Sequence, residues 1–156
     1  LKQGDRLAQP LFTPTTKAEV GEHDLPMTFD EVVKAIGAEW AEKMRSAALQ
    51  IFNQASMKAE KQGLILVDTK MEFGVDHNQL ILIDELLTPD ASRFWLKSEY
   101  QPGKPLNPWD KQLVRDYLLN STWDRKSPPP LLPQEIIQET LYRYRSIAER
   151  LTQVNL

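Results

Sequence analysis

The chain contains no cysteine. Disulfides, thiolate zinc sites and a cysteine nucleophile are therefore excluded, and a reducing compartment, the cytoplasm, is the expected setting. Positive charge is also scarce: 19 Lys and Arg against 22 Asp and Glu leave a formal net charge of -3. A general nucleic-acid binder needs a surplus of Lys and Arg on one face, so that class of partner is not expected. No apolar run approaches membrane-spanning length, no signal-peptide pattern opens the chain, and no internal repeat is visible. Position 1 is leucine rather than methionine, in the polar stretch Leu1-Lys2-Gln3-Gly4-Asp5-Arg6. That stretch reads as the middle of something longer, and a processed or truncated chain is expected.

What is present suits a globular domain. Within 156 residues, 41% are hydrophobic and 26% charged, enough apolar material for one ordinary core and too much for a disordered chain. Residues 1–27 show neither helical nor strand periodicity and are rich in Pro, Thr and charge. They read as an ordered loop region of a length that is often functional. Thr28 followed by Glu31 has capping-box spacing and starts a helix carrying Val32, Val33 and Ile36. Gly37 interrupts it. A longer helix is predicted from Ala38 to Lys61, where Trp40, Met44, Ala47, Ala48, Ile51, Phe52 and Ala55 recur at helical spacing, and Gly63 stops it. Strands are predicted over 64–73 and 79–85, joined by a hairpin turn Gly74-Val75-Asp76-His77-Asn78. Asn107 is expected to cap a helix opening at Pro108, with Trp109, Leu113, Tyr117 and Leu118 on its buried side. Pro128-Pro129-Pro130 makes the stretch from Ser127 to Pro133 a stiff, extended connector. Pro133 then opens a last helix with an apolar stripe of Ile136, Ile137, Leu141, Tyr144, Ile147, Ala148 and Leu151. The expected class is α/β (α+β), with helices packed on a small antiparallel sheet built from the hairpin 64–85. Residues 28–125 form the core of a single domain, followed by the connector and helix of 126–156.

Alternation along the first strand places Asp68, Lys70 and Glu72 on one face, in register with Leu64 and Leu66. Three charges in a row are costly if buried alone. They make sense on a solvated face or around a cation and an anionic ligand. With Val75 opposite Gln79, Lys70 faces Asp84, and Glu72 and Asp84 become diagonal neighbours able to share an ion. A slip of one residue would send Asp84 to the other face. Two carboxylates and a lysine suit a hard divalent cation with a polyphosphate; the alternative is a solvated face with a Lys70–Asp84 pair. Downstream, Thr88-Pro89-Asp90 is turn chemistry in which Asp90 could bond its own backbone. Arg93 offers a planar fork to phosphate or carboxylate, or else stacks on Trp95. Thr15-Thr16-Lys17 and Gly21-Glu22-His23-Asp24 form a polar loop cluster that alone reads as solvated loop. His77 reads as an exposed turn residue.

Three strings, Leu64-Ile65-Leu66-Val67-Asp68-Thr69-Lys70-Met71-Glu72-Phe73-Gly74, then Asp84-Glu85, then Thr88-Pro89-Asp90-Ala91-Ser92-Arg93-Phe94-Trp95, closely resemble the signature of the SAICAR synthetase family. The upstream Pro10-Leu11-Phe12-Thr13-Pro14-Thr15-Thr16-Lys17-Ala18-Glu19 and Gly21-Glu22-His23-Asp24 resemble it too, and the likeness runs in order to about Leu119. The resemblance implies the C-terminal domain of a two-lobed ATP-dependent ligase of purine biosynthesis. That enzyme joins the carboxylate of carboxyaminoimidazole ribotide (CAIR) to the amine of L-aspartate through an acyl phosphate, releasing ADP and phosphate. It further implies Mg2+ on Glu72 and Asp84, and Lys70 on phosphate or the reacting carboxylate. Asp68 would orient Lys70 or a substrate hydroxyl. Arg93, with Ser92 and Asp90, would bind the ribotide, and Lys17, His23 and Asp24 would be nucleotide- or substrate-facing loop residues. The family's N-terminal lobe, with its glycine-rich nucleotide loop and lysine, is not among these residues, so the chain alone is expected to be inactive. Homo-oligomerisation is compatible with the family, and no sequence feature sets its state. Two rival readings stand beside this one: another kinase-like phosphotransferase, and a noncatalytic binding domain.

Overall fold

Thr28 starts the first helix as its spacing predicts. In the computed structural model, which describes residues 2–18, 23–104 and 106–155, its hydroxyl accepts the Glu31 N–H at 3.3 Å while the Glu31 carboxylate accepts the Thr28 N–H at 2.7 Å. Leu1, Glu19, Gly21 and Glu22, quoted in the motifs above, lie outside the described residues. Among the described residues, four helices and four strands run in the order α1 (Phe29–Ile36), α2 (Ala38–Lys61), β1 (Leu64–Thr69), β2 (Glu72–Asp76), β3 (Gln79–Ile83), β4 (Ser92–Leu96), α3 (Gln112–Asn120) and α4 (Gln134–Thr152). The class is mixed α/β with small antiparallel sheets. Gly37 ends α1 at φ 84° and Gly63 follows α2 at φ 73°, left-handed backbone that glycine adopts without steric cost.

The strand pairing departs from the expected hairpin. The run 64–73 is two strands, interrupted at Lys70 and Met71, and the two belong to different sheets. β1 pairs antiparallel with β4, far along the chain, while β2 pairs with β3. The β2–β3 turn is His77-Asn78 alone, with φ 44° and 60°, the two-residue connection whose backbone twist matches its flanking strands. Glycine at position 74 lies inside β2, not in the turn. The register is also one residue off the expected one: Asp76 faces Gln79 and Glu72 faces Ile83.

The chain divides into two compact units. One comprises Leu1–Asp5, Ala55–Lys70 and Glu85–Leu156. Its core holds Leu64, Leu66 and Phe94 from the β1–β4 pair, Ile147 from α4, Ala59 from α2, and Trp109. Phe94, Leu64 and Ile147 are fully enclosed. The other unit comprises Arg6–Gln54 and Met71–Asp84. There Phe29 packs edge-on to Phe12, with the Arg45 guanidinium 4.3 Å from the Phe29 ring centroid, and Val32 and Ala41 are buried.

Two helical expectations need correction. α3 begins at Gln112, not Pro108, and none of its residues is fully buried. Asp110 explains the late start: its Oδ1 accepts the Gln112 N–H at 2.8 Å, doing the work of a cap from just outside the helix. α4 begins after Pro133 as expected, but Ile137 and Leu141 of the anticipated stripe are exposed. The buried residues of α4 are Ile147 and Arg143. Arg143 is satisfied by Glu139, by the Asn107 side chain and by the Pro108 carbonyl, so its burial leaves no unpaired charge.

Candidate active site

In the first unit the β1–β4 pair builds a polar end on an apolar base. Leu64 and Leu66 face the core, and a bulge between Leu66 and Asp68 then breaks the alternation. A bulge inserts one unpaired residue and re-aims those beyond it. Asp68 consequently leaves the apolar face, its side chain 57% exposed, and sits directly across from Arg93, whose Nη2 is 3.5 Å from its Oδ2. The next cross-strand pair, Thr69 and Ser92, joins hydroxyl to hydroxyl at 2.8 Å. Lys70 has left the strand, although its N–H still donates to the Ala91 carbonyl at 2.8 Å.

The approach to β4 is a turn held by Thr88 rather than by Asp90. The Thr88 hydroxyl accepts the Ala91 N–H and donates to the Glu85 carboxylate, and the Thr88 carbonyl accepts the Ser92 N–H at 2.8 Å. This leaves the Asp90 carboxylate available to Lys111, 2.9 Å away. The Lys111 hydrogen bond holds Asp90 below the usual carboxylate range, against the opposing effect of partial burial. Arg93 does not stack on Trp95, which instead lies parallel to Tyr100 at 5.8 Å. Its second charged neighbour is Asp110, with Oδ2 3.8 Å from Nε. Sequence reasoning missed Asp110 and Lys111, because Asn107-Pro108 looked like a helix start and placed both inside a first turn. The pattern of Asp two residues before Gln112 was the available signal.

The second unit holds the remaining candidates. Residues 14–16 pair back on residues 25–27: Thr15 bridges to Pro26, the Thr16 N–H donates to the Leu25 carbonyl, and the Met27 N–H to that of Pro14. Asp24 accepts the Ala18 N–H at 2.9 Å, and His23 is exposed. The arm carries Lys17 to Glu72, both of whose carboxylate oxygens accept the ammonium, at 2.7 and 2.6 Å. Glu72 is 15% exposed, so its charge is largely desolvated and demands a cation. Asp84 follows β3 at φ 66° and is exposed.

The expected single face of Asp68, Lys70 and Glu72 is therefore not formed by alternation, and Lys70 has no place in the hairpin register opposite Asp84. With the observed register, Ile83 and not Leu82 faces Glu72. Asp84 lies past the end of β3 in left-handed backbone, so strand alternation does not set the direction of its side chain. Among the described residues no group of three or more His, Asp or Glu is gathered as a metal cage. A two-carboxylate set is still sufficient for a hard cation that keeps its waters and takes its other ligands from phosphate. The bidentate grip of Glu72 on an ammonium shows that its oxygens already receive a positive charge.

Residues 1–130 match the family model described as SAICAR synthetase. The phosphoribosylaminoimidazole-succinocarboxamide synthase of Trichlorobacter lovleyi is 49% identical over 156 residues, covering 100% of this chain and 53% of the relative. A Saccharomyces cerevisiae SAICAR synthase structure, complexed with SAICAR, aligns with 100% of this chain and 50% of its own at a TM-score of 0.85 and 32% identity. A SAICAR synthetase structure in complex with ADP aligns with 100% of this chain and 56% of its own at a TM-score of 0.72 and 26% identity. The chain thus spans about half the length of the curated relatives it matches. With its motifs, its fold and its whole length aligned to these proteins, the chain belongs to the SAICAR synthetase family.

Proposed function

We propose that this chain contributes to an ATP-dependent ligase that joins the carboxylate of CAIR to the amine of L-aspartate. A carboxylate is a poor acylating agent. Attack of its oxygen on the γ-phosphorus of ATP expels ADP and leaves an acyl phosphate. The aspartate amine then attacks the acyl carbon, a proton is lost from nitrogen, and phosphate departs with the former carboxylate oxygen. Such transfers rely on positioning and charge neutralisation more than on a covalent protein group. The observation that carries the reading is the family match over residues 1–130, which contains every candidate site residue.

Within the first unit, Lys70 is assigned to the phosphate or the reacting carboxylate and Asp68 to Lys70 or a substrate hydroxyl. Arg93, Ser92 and Asp90 are assigned to the ribotide. The Thr69–Ser92 hydroxyl pair and the Asp90–Lys111 ion pair support this, because they hold the segment in place before any ligand arrives. Within the second unit, Glu72 and Asp84 would hold Mg2+, and Lys17, His23 and Asp24 would face nucleotide or substrate. Bound Mg2+ would neutralise phosphate charge. Lys17 then has two roles open to it in chemical terms: counterion of Glu72 in the unliganded chain, and phosphate ligand once a metal takes that carboxylate. The ligands bound in the structural relatives, SAICAR and ADP, suit these substrate classes. A cysteine-free chain in which no described helix is long and apolar enough to cross a membrane suits the cytoplasm.

The test is an assay of ADP release by the full-length protein with ATP and Mg2+. ADP is expected only when CAIR and L-aspartate are both present, in equal amount to the ligated product. Release with either one omitted, at the same rate, would favour a different phosphotransferase. The 156-residue chain by itself is expected to show no turnover, since it carries about half the length of its relatives.

A further inference from the structure

Trp109, Asp110 and Lys111 are consecutive, and each is tied to the segment that carries the proposed ribotide ligands. The Trp109 N–H donates to the Phe94 carbonyl at 2.7 Å. Asp110 Oδ2 lies 3.8 Å from Arg93 Nε. Lys111 Nζ lies 2.9 Å from Asp90 Oδ1. Asp110 is the unusual member, a carboxylate only 5% exposed. Burying a charge this far is costly without partners, and it has two: the Gln112 N–H at 2.8 Å and the Arg93 guanidinium. Arg93 Nε is itself buried without a hydrogen bond, so the Asp110 carboxylate faces a donor edge that nothing else satisfies.

We infer that Asp110 is a positioning residue, which with Lys111 presets Arg93 and Asp90 for the anionic end of the ribotide. This rests on the proposed assignment of Arg93 to that ligand. The two carboxylates beside Arg93 differ in kind. Asp68 is half exposed and free to turn toward solvent or a substrate hydroxyl, whereas Asp110 is enclosed and anchored through Gln112. An arriving phosphate displaces Asp68 from the guanidinium and leaves Asp110 on Nε. At 3.8 Å the Asp110 contact is an ion pair without a hydrogen bond, and a small shift of the fork on ligand binding would close it.

Positioning and plain electrostatics predict opposite signs. Removing a negative charge beside an anion site strengthens anion binding if Asp110 is only a bystander, and weakens it if Asp110 holds the fork. In the full-length protein, Asp110→Asn keeps the Gln112 cap and the side-chain volume. It is expected to raise KM for CAIR about tenfold, with kcat and KM for ATP within about twofold of wild type. Lys111→Met, which leaves Asp110 buried in place, is expected to move KM for CAIR in the same direction. Arg93→Lys should raise KM for CAIR at least as much, and adding Asp110→Asn to it should raise it little further, because the two act as a unit. A KM for CAIR that stays level or falls in Asp110→Asn while Arg93→Lys raises it overturns the inference and leaves the function standing. Equal losses in all three constants with a lowered melting temperature overturn it as well, as a merely structural effect. No change in Arg93→Lys overturns the assignment of Arg93 beneath it.

Discussion

Glu72→Ala in the full-length protein is expected to lower kcat by about three orders of magnitude, equivalent to about 4 kcal/mol of transition-state stabilisation. The size follows from what Glu72 does. It is a largely buried carboxylate gripping an ammonium with both oxygens, and in the proposed enzyme that grip passes to Mg2+. Its loss removes the anchor for a divalent charge on the transferring phosphoryl group. Glu72→Gln retains one acceptor oxygen for Lys17 and loses the negative charge, so it should lie close to the alanine variant. Asp84 needs a different substitution. Its left-handed backbone at φ 66° is tolerated by Asn and penalised in Ala, so Asp84→Asn removes the charge without straining the turn. It should weaken Mg2+-nucleotide binding in parallel. Titration of Mg2+-ATP into both variants checks the point: unchanged affinity in both would favour the noncatalytic binding domain.

Phe94→Ala is expected to destabilise the fold by about 3–5 kcal/mol, at the severe end for single substitutions. Phe94 is fully enclosed at the centre of β4. Phe94 lines a partly open apolar pocket of about 300 Å³ together with Leu66, Leu87 and Ile147, so truncating it adds to space that is already unfilled. The Phe94 carbonyl also receives the Trp109 N–H, which ties the loss of packing to the segment holding Asp110. Chemical denaturation measures the effect. A loss below about 1 kcal/mol would mean that the site relaxes, and that the β1–β4 pair is not the core of its unit.

The helices that the sequence announced most clearly were those marked by local chemistry. Thr28 with Glu31 and the glycines at 37 and 63 act within one turn of the chain, and α1 and α2 have the bounds those signals imply. Strands 64–73 and 79–85 were harder because alternation reports a face and never a partner. Continuous apolar and charged alternation through Lys70 hid a change of sheet, and β1's true partner lies beyond the whole hairpin. The expected turn ran from Gly74 to Asn78, while the actual turn is only its last two residues, His77 and Asn78, in left-handed backbone that is uncommon outside glycine and most accessible to residues such as Asn and His. The candidate site divided in the same manner. Asp68 and Arg93 carried recognisable chemistry, and their pairing needed only the strand register. Asp110 offered only the local pattern of a cap before Gln112, and Lys111 none: their contacts across loops, with Arg93 and Asp90 respectively, leave no local signature. Lys17 belonged to a loop whose only stated chemistry came from the family likeness, and its ion pair with Glu72 spans 55 residues.

The most direct test of the proposed ligase follows the oxygen of the CAIR carboxylate. With that carboxylate labelled with oxygen-18, the full-length protein is incubated with ATP, Mg2+ and L-aspartate, and the released phosphate is analysed by mass spectrometry. Activation as an acyl phosphate predicts one labelled oxygen in each phosphate, in equal amount to ADP and amide product. Unlabelled phosphate, or ADP formed without CAIR, would contradict it.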